Sequence, residues 1–509
     1  MGLYDLTFYD VICRNAVCYK NKPAWIDIDD NRELTFVQYK EQVDRLACGL
    51  QKLGIQHKDR IGVLSKNSME YFLLYGAAAA IGAIMLPINW RLSVNEIVFN
   101  LNDCEPKIIF TSPEYHATIN ECRDQLFTAK TFCSLKTGAE GFEDFSVLLA
   151  NNGDFTRADT SSDDGFVIIH TAAVAGRPRG ALLSHDNVLS SNMHFNHYIK
   201  ITPADVHLNL LPMFHVAGLC TATSAFHAGA LNVNMSRFDA EKAVSLIEQR
   251  KASFLFDFTP ILSNILEQQV KSGENICSLR AVIGLDVPET IEKYQEISGG
   301  TFYCMYGQTE TSCLATVSPY NDRPGTAGQP ILLGNLLLVD DADKPVSTGQ
   351  SGEIIMRGPM VFRGYWNLPD DNSYTFRNGW HHTGDLGRFD EEGFLWYVGR
   401  KPEKELIKPG GENVYPAEVE NAVLQHPAVE KCVVIGVPDP KWKEGIKAVC
   451  QLKTGMSLTA KELVTFVASK IASYKKPQYV EFISKIPVRS DGTADRAKVK
   501  ELYGGLQKR

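Results

Sequence analysis

Short β-rich runs alternate with helical patterns through the first 400 residues, and this alternation constrains the fold more than any other feature. The run 59–64 predicts a strand, and Ser93-Val94-Asn95-Glu96 is a capping box that starts a helix. Phe166-Val167-Ile168-Ile169-His170 predicts another strand, which ends at a loop of small residues. Alternating strands and helices pack as helix layers on a largely parallel sheet. We therefore expect an α/β fold over residues 1–400.

The remaining residues predict a second, smaller unit. Pro416 is placed to start a helix, a strand is predicted over 432–437, and Thr459-Ala460-Lys461-Glu462 is another capping box. The join over 399–404 is polar and charged, as a linker should be. We therefore expect a separate α+β domain over residues 405–509.

Composition and charge exclude several protein classes. The chain has 509 residues, of which 44% are hydrophobic and 22% charged, so disordered and coiled-coil classes are excluded. Lys and Arg number 52 against 60 Asp and Glu, a formal net charge of −8. This balance removes the electrostatic drive for wrapping nucleic acid, and we expect no nucleic-acid partner.

The sequence also predicts no membrane span and a reducing compartment. The apolar run 71–88 reaches spanning length only by counting Gly and Ala residues, which suit close helix packing in a core better than lipid. Asp5 and Asp10 stand where a signal peptide would be apolar. The 12 cysteines are scattered without a CxxC pair, as buried thiols in a cytoplasmic protein would be.

The loop 171–180, which runs from Thr171 to Gly180, is a candidate phosphate-binding segment. It follows the strand ending at His170 and contains Gly176, Arg179 and Gly180. Backbone N–H groups and positive charge in such a loop can bind a phosphate. A plain surface turn has the same composition, so the loop alone does not decide between the two.

Two further segments carry groups suited to a nucleotide. In Tyr306-Gly307-Gln308-Thr309-Glu310-Thr311, the tyrosine can stack on a base, a threonine hydroxyl can bond a phosphate oxygen and the glutamate can hold Mg²⁺. In 379–387, an exposed Asp385 between glycines could accept hydrogen bonds from both ribose hydroxyls. An ordinary strand exit and a hairpin turn are the alternatives.

Taken together, these segments resemble the adenylate-forming superfamily, most closely its AMP-forming acyl-CoA synthetases. The resemblance covers nearly the whole chain. It also rests on the segments Asn89-Trp90-Arg91-Leu92, Leu211-Pro212-Met213-Phe214-His215, Gly325-Thr326-Ala327-Gly328-Gln329-Pro330, Gly352-Glu353-Ile354, Arg363-Gly364-Tyr365-Trp366 and 408–416.

The resemblance implies a fold and an activity. The family has a large N-terminal domain of packed sheets and helices, here 1–400, a hinge, here 401–404, and a small mobile C-terminal lid, here 405–509. Its members join a carboxylic acid to the α-phosphate of ATP, release pyrophosphate, and then let CoA attack the acyl adenylate. Homodimers are frequent in the family, so the resemblance makes a homodimer possible here by analogy, whereas the sequence itself is silent on the oligomeric state.

The resemblance also implies residue roles. Tyr306 would stack on adenine, Thr309 would contact phosphate, Glu310 would hold Mg²⁺, and Asp385 and Arg400 would bind the ribose. His215 matches an aromatic or His position between the acyl pocket and the phosphate, although a packed, satisfied histidine is equally compatible. The other implied nucleotide and CoA contacts are Thr171, Gly176, Arg179, Gly180, Gly307, Gln308, Lys408, Gly410 and Gly411.

Three departures from the family fall on the adenylation side. In the phosphate loop, residues 172–175 lack the usual hydroxyls and Arg179 replaces a lysine. Near the C-terminus, Thr493 stands where the family places the lysine that bridges carboxylate and α-phosphate. A glycine pair of the acyl pocket appears as Leu285-Asp286.

Two main hypotheses therefore stay open. The chain is either an acyl-CoA ligase with an atypical adenylation site, or a degenerate relative that binds AMP, acyl adenylate or CoA without full turnover. An intermediate hypothesis is an enzyme that catalyses only the thioester step on a supplied acyl adenylate. An oxidative, luciferase-like reaction is the remaining alternative, and no sequence feature favours it. The sequence does not separate fatty, alicyclic and aromatic acids as substrates.

Overall fold

Backbone contacts divide the chain into two units. In the computed structural model, the described residues are 2–174, 177–401, 406–409, 412, 414–440, 442–489 and 494–505. The first unit comprises Met1–Trp90, Leu101–Ile169 and Gly180–Gly399, and the second comprises Arg91–Asn100, His170–Arg179 and Arg400–Arg509. The larger unit is α/β and the smaller is α+β, as the sequence predicts.

The helices are, in chain order, α1 (Phe8–Cys18), α2 (Phe36–Lys52), α3 (Met69–Ile81), α4 (Val94–Cys104), α5 (His116–Cys122), α6 (Phe145–Leu149), α7 (His185–Tyr198), α8 (Val216–Ala228), α9 (Ala240–Arg250), α10 (Ile261–Ser272), α11 (Pro288–Ser298), α12 (Pro369–Thr375), α13 (Pro416–Leu424), α14 (Ala460–Ala468) and α15 (Arg496–Tyr503).

The strands are β1 (Pro23–Asp27), β2 (Arg32–Thr35), β3 (Arg60–Leu64), β4 (Ile84–Ile88), β5 (Ile108–Thr111), β6 (Thr131–Ser134), β7 (Glu143–Asp144), β8 (Gly165–Val174), β9 (Arg177–Ser184), β10 (Val206–Asn209), β11 (Leu231–Asn234), β12 (Phe254–Phe258), β13 (Ala281–Leu285), β14 (Thr301–Tyr306), β15 (Thr316–Pro319), β16 (Gln329–Pro330), β17 (Asn335–Val339), β18 (Ser351–Arg357), β19 (Gly364–Tyr365), β20 (His381–Phe389), β21 (Leu395–Arg400), β22 (Val429–Asp439), β23 (Lys443–Leu452) and β24 (Tyr479–Phe482).

Three sheets build the large unit. A nine-stranded sheet has the order β16-β15-β14-β13-β12-β10-β11-β1-β2, and its strands from β14 to β1 run parallel. An eight-stranded sheet has the order β19-β9-β8-β4-β3-β5-β6-β7, and a four-stranded sheet has the order β17-β18-β20-β21, in which β18 pairs antiparallel with both β17 and β20. The predicted strands at 59–64 and 166–170 are confirmed as β3 and β8, although β8 runs four residues further than expected.

The apolar run 71–88 forms helix α3 and strand β4 inside this unit. All 13 residues of α3 are buried. A Cβ on Gly76 would lie 2.6 Å from Val43 and 3.1 Å from Ile12, so the small residue allows α1 and α2 to pack closely on α3. In the part of the chain that the structure describes, no helix has the length and hydropathy needed to cross a bilayer.

The second unit packs helices on the three-stranded sheet β22-β23-β24. Its apolar core includes Val419 and Val423 of α13 and Leu463 of α14. The capping box at Thr459 is confirmed: the Thr459 side chain accepts from the Glu462 N–H, and the Glu462 carboxylate accepts from Thr459. Helix α13 begins at Pro416, as predicted.

Within the second unit, a buried lysine ties the Arg91–Asn100 segment to the C-terminal part of the chain. Lys475 is 3% exposed and forms ion pairs with Glu96 at 2.5 Å and with Glu418. The Glu96 carboxylate also accepts from the Ala472 N–H and from Ser93, so the residue that caps α4 also fixes the segment after α14. Burial raises the pKa of the Glu96 carboxyl, but Lys475 and Ser93 outweigh burial and the net pKa is lowered.

Replacing Lys475 by methionine should destabilise the second unit. The change leaves the carboxylates of Glu96 and Glu418 buried without their shared cation, and breaking a buried pair in this way costs about 3–5 kcal/mol. We expect amide hydrogen exchange in α13 to accelerate by at least about a hundredfold, as measured by mass spectrometry.

The matched control is Lys498→Met, because Lys498 forms an exposed ion pair with Glu501. Exposed pairs contribute about 0–1 kcal/mol, so exchange in α13 should stay close to the wild-type rate. Equal effects of the two substitutions would contradict the role given to Lys475.

Candidate active site

The carboxyl ends of four parallel strands meet at one edge of the nine-stranded sheet. Neighbouring strands β14, β13 and β12 end at Tyr306, Leu285 and Phe258, and the segment after β10 leads to His215. Parallel strands of open α/β sheets expose their ligand sites at this edge. The topology therefore brings the predicted base-stacking residue and the predicted acyl-pocket residues to the same edge.

A buried hydrogen-bond network joins three predicted nucleotide residues. The Tyr306 hydroxyl donates to Asp385 Oδ2 at 2.8 Å, and Gln308 Nε2 donates to the same oxygen at 2.5 Å. Gln308 Nε2 also donates to the Thr383 carbonyl at 3.1 Å. Burial, with Asp385 next in effect, raises the pKa of Tyr306 well above its ordinary value, so the phenol stays a donor.

Asp385 is 1% exposed, so the expectation of an exposed carboxylate is wrong. The sequence shows a Gly-Asp turn but not the side chains that cover it. Besides Tyr306 and Gln308, the Tyr397 hydroxyl contacts Asp385 Oδ1 at 3.4 Å. Tyr397 has no signal in the sequence beyond its position in an apolar run.

Glu310 lies in a 3₁₀ turn, Thr309–Thr311, directly after this network, and Thr309 is half-buried. Glu310 is 8% exposed, and its Oε1 accepts from the Tyr365 hydroxyl at 2.7 Å. Tyr365 belongs to β19, which pairs with β9, and the Gly180 carbonyl accepts from the Trp366 N–H at 2.7 Å. The end of the predicted phosphate loop is therefore linked to Glu310 through β19.

Tyr365 is a functional candidate that the sequence analysis did not assign. Its segment, Arg363-Gly364-Tyr365-Trp366, carried the resemblance, but no role came with it. The pairing of β19 with β9 brings it to Glu310 from 55 residues away in the chain.

The backbone after Tyr306 is held in an unusual conformation. A Cβ on Gly307 would lie 1.7 Å from the Cys313 carbonyl oxygen. Ser312 and Cys313, both buried, have φ values of 50° and 86°, which lie in the left-handed region. Such strain costs about 1–3 kcal/mol per residue and persists only where surrounding contacts impose it. Here Ser312 is held by its hydroxyl, which donates to the Met360 carbonyl at 2.8 Å.

His215 is half-buried and caps helix α8. Its Nδ1 accepts from the Ala217 N–H at 3.3 Å, and its ring lies edge-on to Phe258 with centroids 5.8 Å apart. These contacts give His215 a structural role next to the predicted acyl pocket. They are compatible with the alternative given above for this position, a histidine that is packed and hydrogen-bonded within the protein.

Four predicted residues that the structure describes lie in the second unit: Thr171, Arg179, Arg400 and Lys408. The Thr171 hydroxyl donates to the Arg179 carbonyl at 3.3 Å, and Arg179 is 9% exposed. Arg400 ends β21, and the backbone N–H of Lys408 donates to Glu444 at 2.7 Å. The predicted residues Gly176, Gly410, Gly411 and Thr493, and hinge positions 402–404, lie outside the described residues.

Comparison with protein families identifies the chain. A family model described as AMP-binding enzyme matches residues 13–366, and one described as AMP-binding enzyme C-terminal domain matches residues 418–492. The chain belongs to this family of AMP-binding, adenylate-forming enzymes.

Individual relatives and solved structures agree with this assignment. The chain is 32% identical to indoleacetate–CoA ligase of Aromatoleum aromaticum, over 92% of this chain and 93% of the relative. It is 42% identical to a solved structure from Rhodopseudomonas palustris that is provisionally named a long-chain-fatty-acid CoA ligase, with a TM-score of 0.75, covering 78% of this chain and 100% of the other. A fatty acyl CoA synthetase of Mycobacterium tuberculosis is 28% identical with a TM-score of 0.74 and 98% coverage of both chains.

Substituting Gly307 by alanine should destabilise the protein, because the new methyl group meets backbone atoms of the Cys313 turn. Overpacking of this kind costs about 1–3 kcal/mol, which urea unfolding can measure. The control is Gly153→Ala, where the added Cβ meets only the Cys48 sulfur at 3.4 Å. A change of less than about 0.5 kcal/mol is expected there, and a similar loss at both sites would contradict the argument.

Proposed function

We propose that the protein is an AMP-forming acyl-CoA ligase with an atypical adenylation site. The observation that carries the proposal is the network of Tyr306, Gln308 and Asp385, with Glu310 beside it, at the carboxyl edge of the parallel strands. In a chain of this family, that network has the groups needed to bind a nucleoside and a phosphate.

The proposed reaction has two steps. A carboxylate oxygen of the acid attacks the α-phosphorus of ATP, an acyl-phosphate bond forms, and pyrophosphate leaves. The thiolate of CoA then attacks the acyl carbonyl carbon, and AMP leaves with the bonding electrons. The first step is needed because a free carboxylate is a poor electrophile, whereas AMP is a good leaving group.

In this proposal the nucleoside and the metal ion are bound by the residues that the family resemblance assigns to them, namely Tyr306, Thr309, Glu310, Asp385 and Arg400. Tyr306 contributes its ring to the adenine site. Asp385 accepts hydrogen bonds from the ribose hydroxyls, and Arg400 donates hydrogen bonds to the ribose. Thr309 contacts the phosphate. Glu310 is a suitable ligand for Mg²⁺, because this ion binds one or two carboxylates together with phosphate oxygens. The bound ion would neutralise part of the phosphate charge.

The loop 171–180 is proposed to bind the phosphates, and the segment that contains Lys408, Gly410 and Gly411 is proposed to bind CoA. Thr171, Gly176, Arg179 and Gly180 would surround the phosphates, with Arg179 supplying the positive charge. Lys408, Gly410 and Gly411 would face CoA after the lid over 405–509 has moved about the hinge 401–404. A homodimer, by analogy with the family, and a cytoplasmic location, from the sequence, remain predictions.

The proposed acid belongs to the fatty, alicyclic or aromatic classes. The proposed pocket is formed by the ends of β12 and β13, where Phe258 pairs with Leu285 and Leu285 is 41% exposed. The Thr259 hydroxyl donates to Asp286 Oδ1 at 2.9 Å, which fixes the polar group of this wall. A relative named for indoleacetate and a solved structure named for fatty acyl groups support the aromatic and the fatty classes.

A degenerate binding protein, or an enzyme of the thioester half-reaction alone, is the second candidate. It is favoured by the missing hydroxyls at 172–175 and by Thr493 in place of the bridging lysine. A hydrogen bond to a charged group contributes about 1.5–3 kcal/mol, so the loss of several would slow adenylation strongly.

Product analysis by mass spectrometry separates these candidates. The protein is incubated with Mg-ATP, CoA and a panel of fatty, alicyclic and aromatic acids. We expect an acyl-CoA peak with an equal amount of AMP. Thioester formed only from synthetic acyl adenylate would show the half-reaction enzyme, and silence in both assays would favour the binding protein.

Thr493→Lys tests the atypical site directly. The new ammonium restores a charged hydrogen bond between carboxylate and α-phosphate, so acid-dependent pyrophosphate release should rise about 10- to 100-fold. Thioester formation from supplied adenylate should stay unchanged. Thr493→Met is the control for side-chain length, and an equal rise with methionine would contradict the role of charge.

A further inference from the structure

Strand β20 bulges at the residues that present Asp385. In the antiparallel pairing with β18, Leu386 faces Glu353 and His382 faces Ile355. Three residues of β20, numbers 383–385, therefore lie opposite one residue of β18. A bulge re-aims the side chains of its strand and is frequent beside active sites.

The bulge is held by side chains rather than by the regular ladder. Gly384 has a φ of 68°, and its N–H donates to Glu353 Oε1 at 2.9 Å. The Thr383 hydroxyl donates to the Ile354 carbonyl at 2.6 Å and accepts from the Asp385 N–H at 3.1 Å. The Glu353 carboxylate thus anchors the peptide group between Thr383 and Gly384, and the Thr383 hydroxyl anchors the next one, between Gly384 and Asp385.

Glu353 is itself fixed by a buried charge network. It is 3% exposed, and its Oε2 lies 3.3 Å from Arg377 Nη2 and 3.3 Å from His382 Nδ1. Arg377 also donates to both oxygens of Asp343, at 2.9 and 3.0 Å. The hydrogen bonds of Arg377 lower the pKa of Asp343, so that carboxylate stays ionised.

This cluster is an ion-pair network and not a metal site. Asp343, Glu353 and His382 each place a ligand atom within 4.8 Å of the others. The Arg377 guanidinium already bonds to both carboxylates and supplies the positive charge that a metal ion would bring. Burying carboxylates is costly without such a partner.

We infer that Glu353 is a positioning residue for the ribose site: its carboxylate sets the bulge of β20, and the bulge aims Asp385 at the ribose hydroxyls. The inference rests on the proposed function, in which Asp385 binds the ribose. Glu353 belongs to the Gly352-Glu353-Ile354 segment, and it holds the bulge by accepting from the N–H of Gly384, the residue before Asp385.

Two complementary substitutions of Glu353 test the positioning role of its carboxylate. Glu353→Gln keeps an acceptor oxygen for the Gly384 N–H but removes the charge. Glu353→Asp keeps the charge but withdraws the acceptor by one methylene. The dissociation constants of AMP and 2′,3′-dideoxy-AMP are measured for each by calorimetry, because only AMP has the hydroxyls that Asp385 would bind.

The wild type should prefer AMP by about tenfold or more, since the dideoxy analogue loses hydrogen bonds to a charged group. Glu353→Gln should keep this preference within about threefold. Glu353→Asp should lose most of it, with affinity for the dideoxy analogue unchanged. A preference retained by Asp, or an equal loss for both nucleotides, overturns the inference.

Two controls make the outcomes distinct. Asp385→Asn should abolish the preference; if it does not, the ribose role of Asp385 in the proposed function fails. If Asp385→Asn abolishes it and Glu353→Asp leaves it intact, only the positioning role fails. Glu70→Asp shortens another buried carboxylate, which pairs with Arg32 at 2.5 Å, and should leave the preference at the wild-type value.

Discussion

The burial of the Asp385 carboxylate is the constraint on which the candidate site depends. A buried carboxylate needs hydrogen-bond donors, and Tyr306, at the end of β14, and Gln308 supply them. These bonds join the antiparallel sheet that carries Asp385 to the nine-stranded sheet that carries Tyr306. The relative placement of Tyr306 and Asp385 in the large unit thus follows from the hydrogen bonds that one buried carboxylate requires.

Local patterns in the sequence predicted elements well because their causes are local. The capping box at Thr459, the proline at 416 and the apolar run of β3 each depend on neighbours within a few residues. The motif residues Tyr306, Gln308 and Asp385 were also found from sequence, by resemblance, and the structure brings them together. Their roles toward ligands remain proposals.

The parts that the sequence did not predict depend on contacts between distant segments. Tyr365 reaches Glu310 only because β19 pairs with β9, and Glu353 reaches Gly384 only through the register of β18 on β20. The exposure of Asp385 was predicted wrongly for the same reason, because its cover comes from strands that are 79 and 12 residues away. No periodicity or turn signal contains such pairings.

The ion pairs of Lys475 have a consequence for how the chain can be divided. The second unit combines segments that are distant in sequence. Its buried Lys475 forms ion pairs with Glu96 of α4 and with Glu418. A C-terminal fragment that begins at residue 401 would keep Glu418 as a partner of Lys475 and would lose Glu96. An exchange of the C-terminal segment between relatives would succeed best where the donor and recipient agree at the positions of both Lys475 and Glu96.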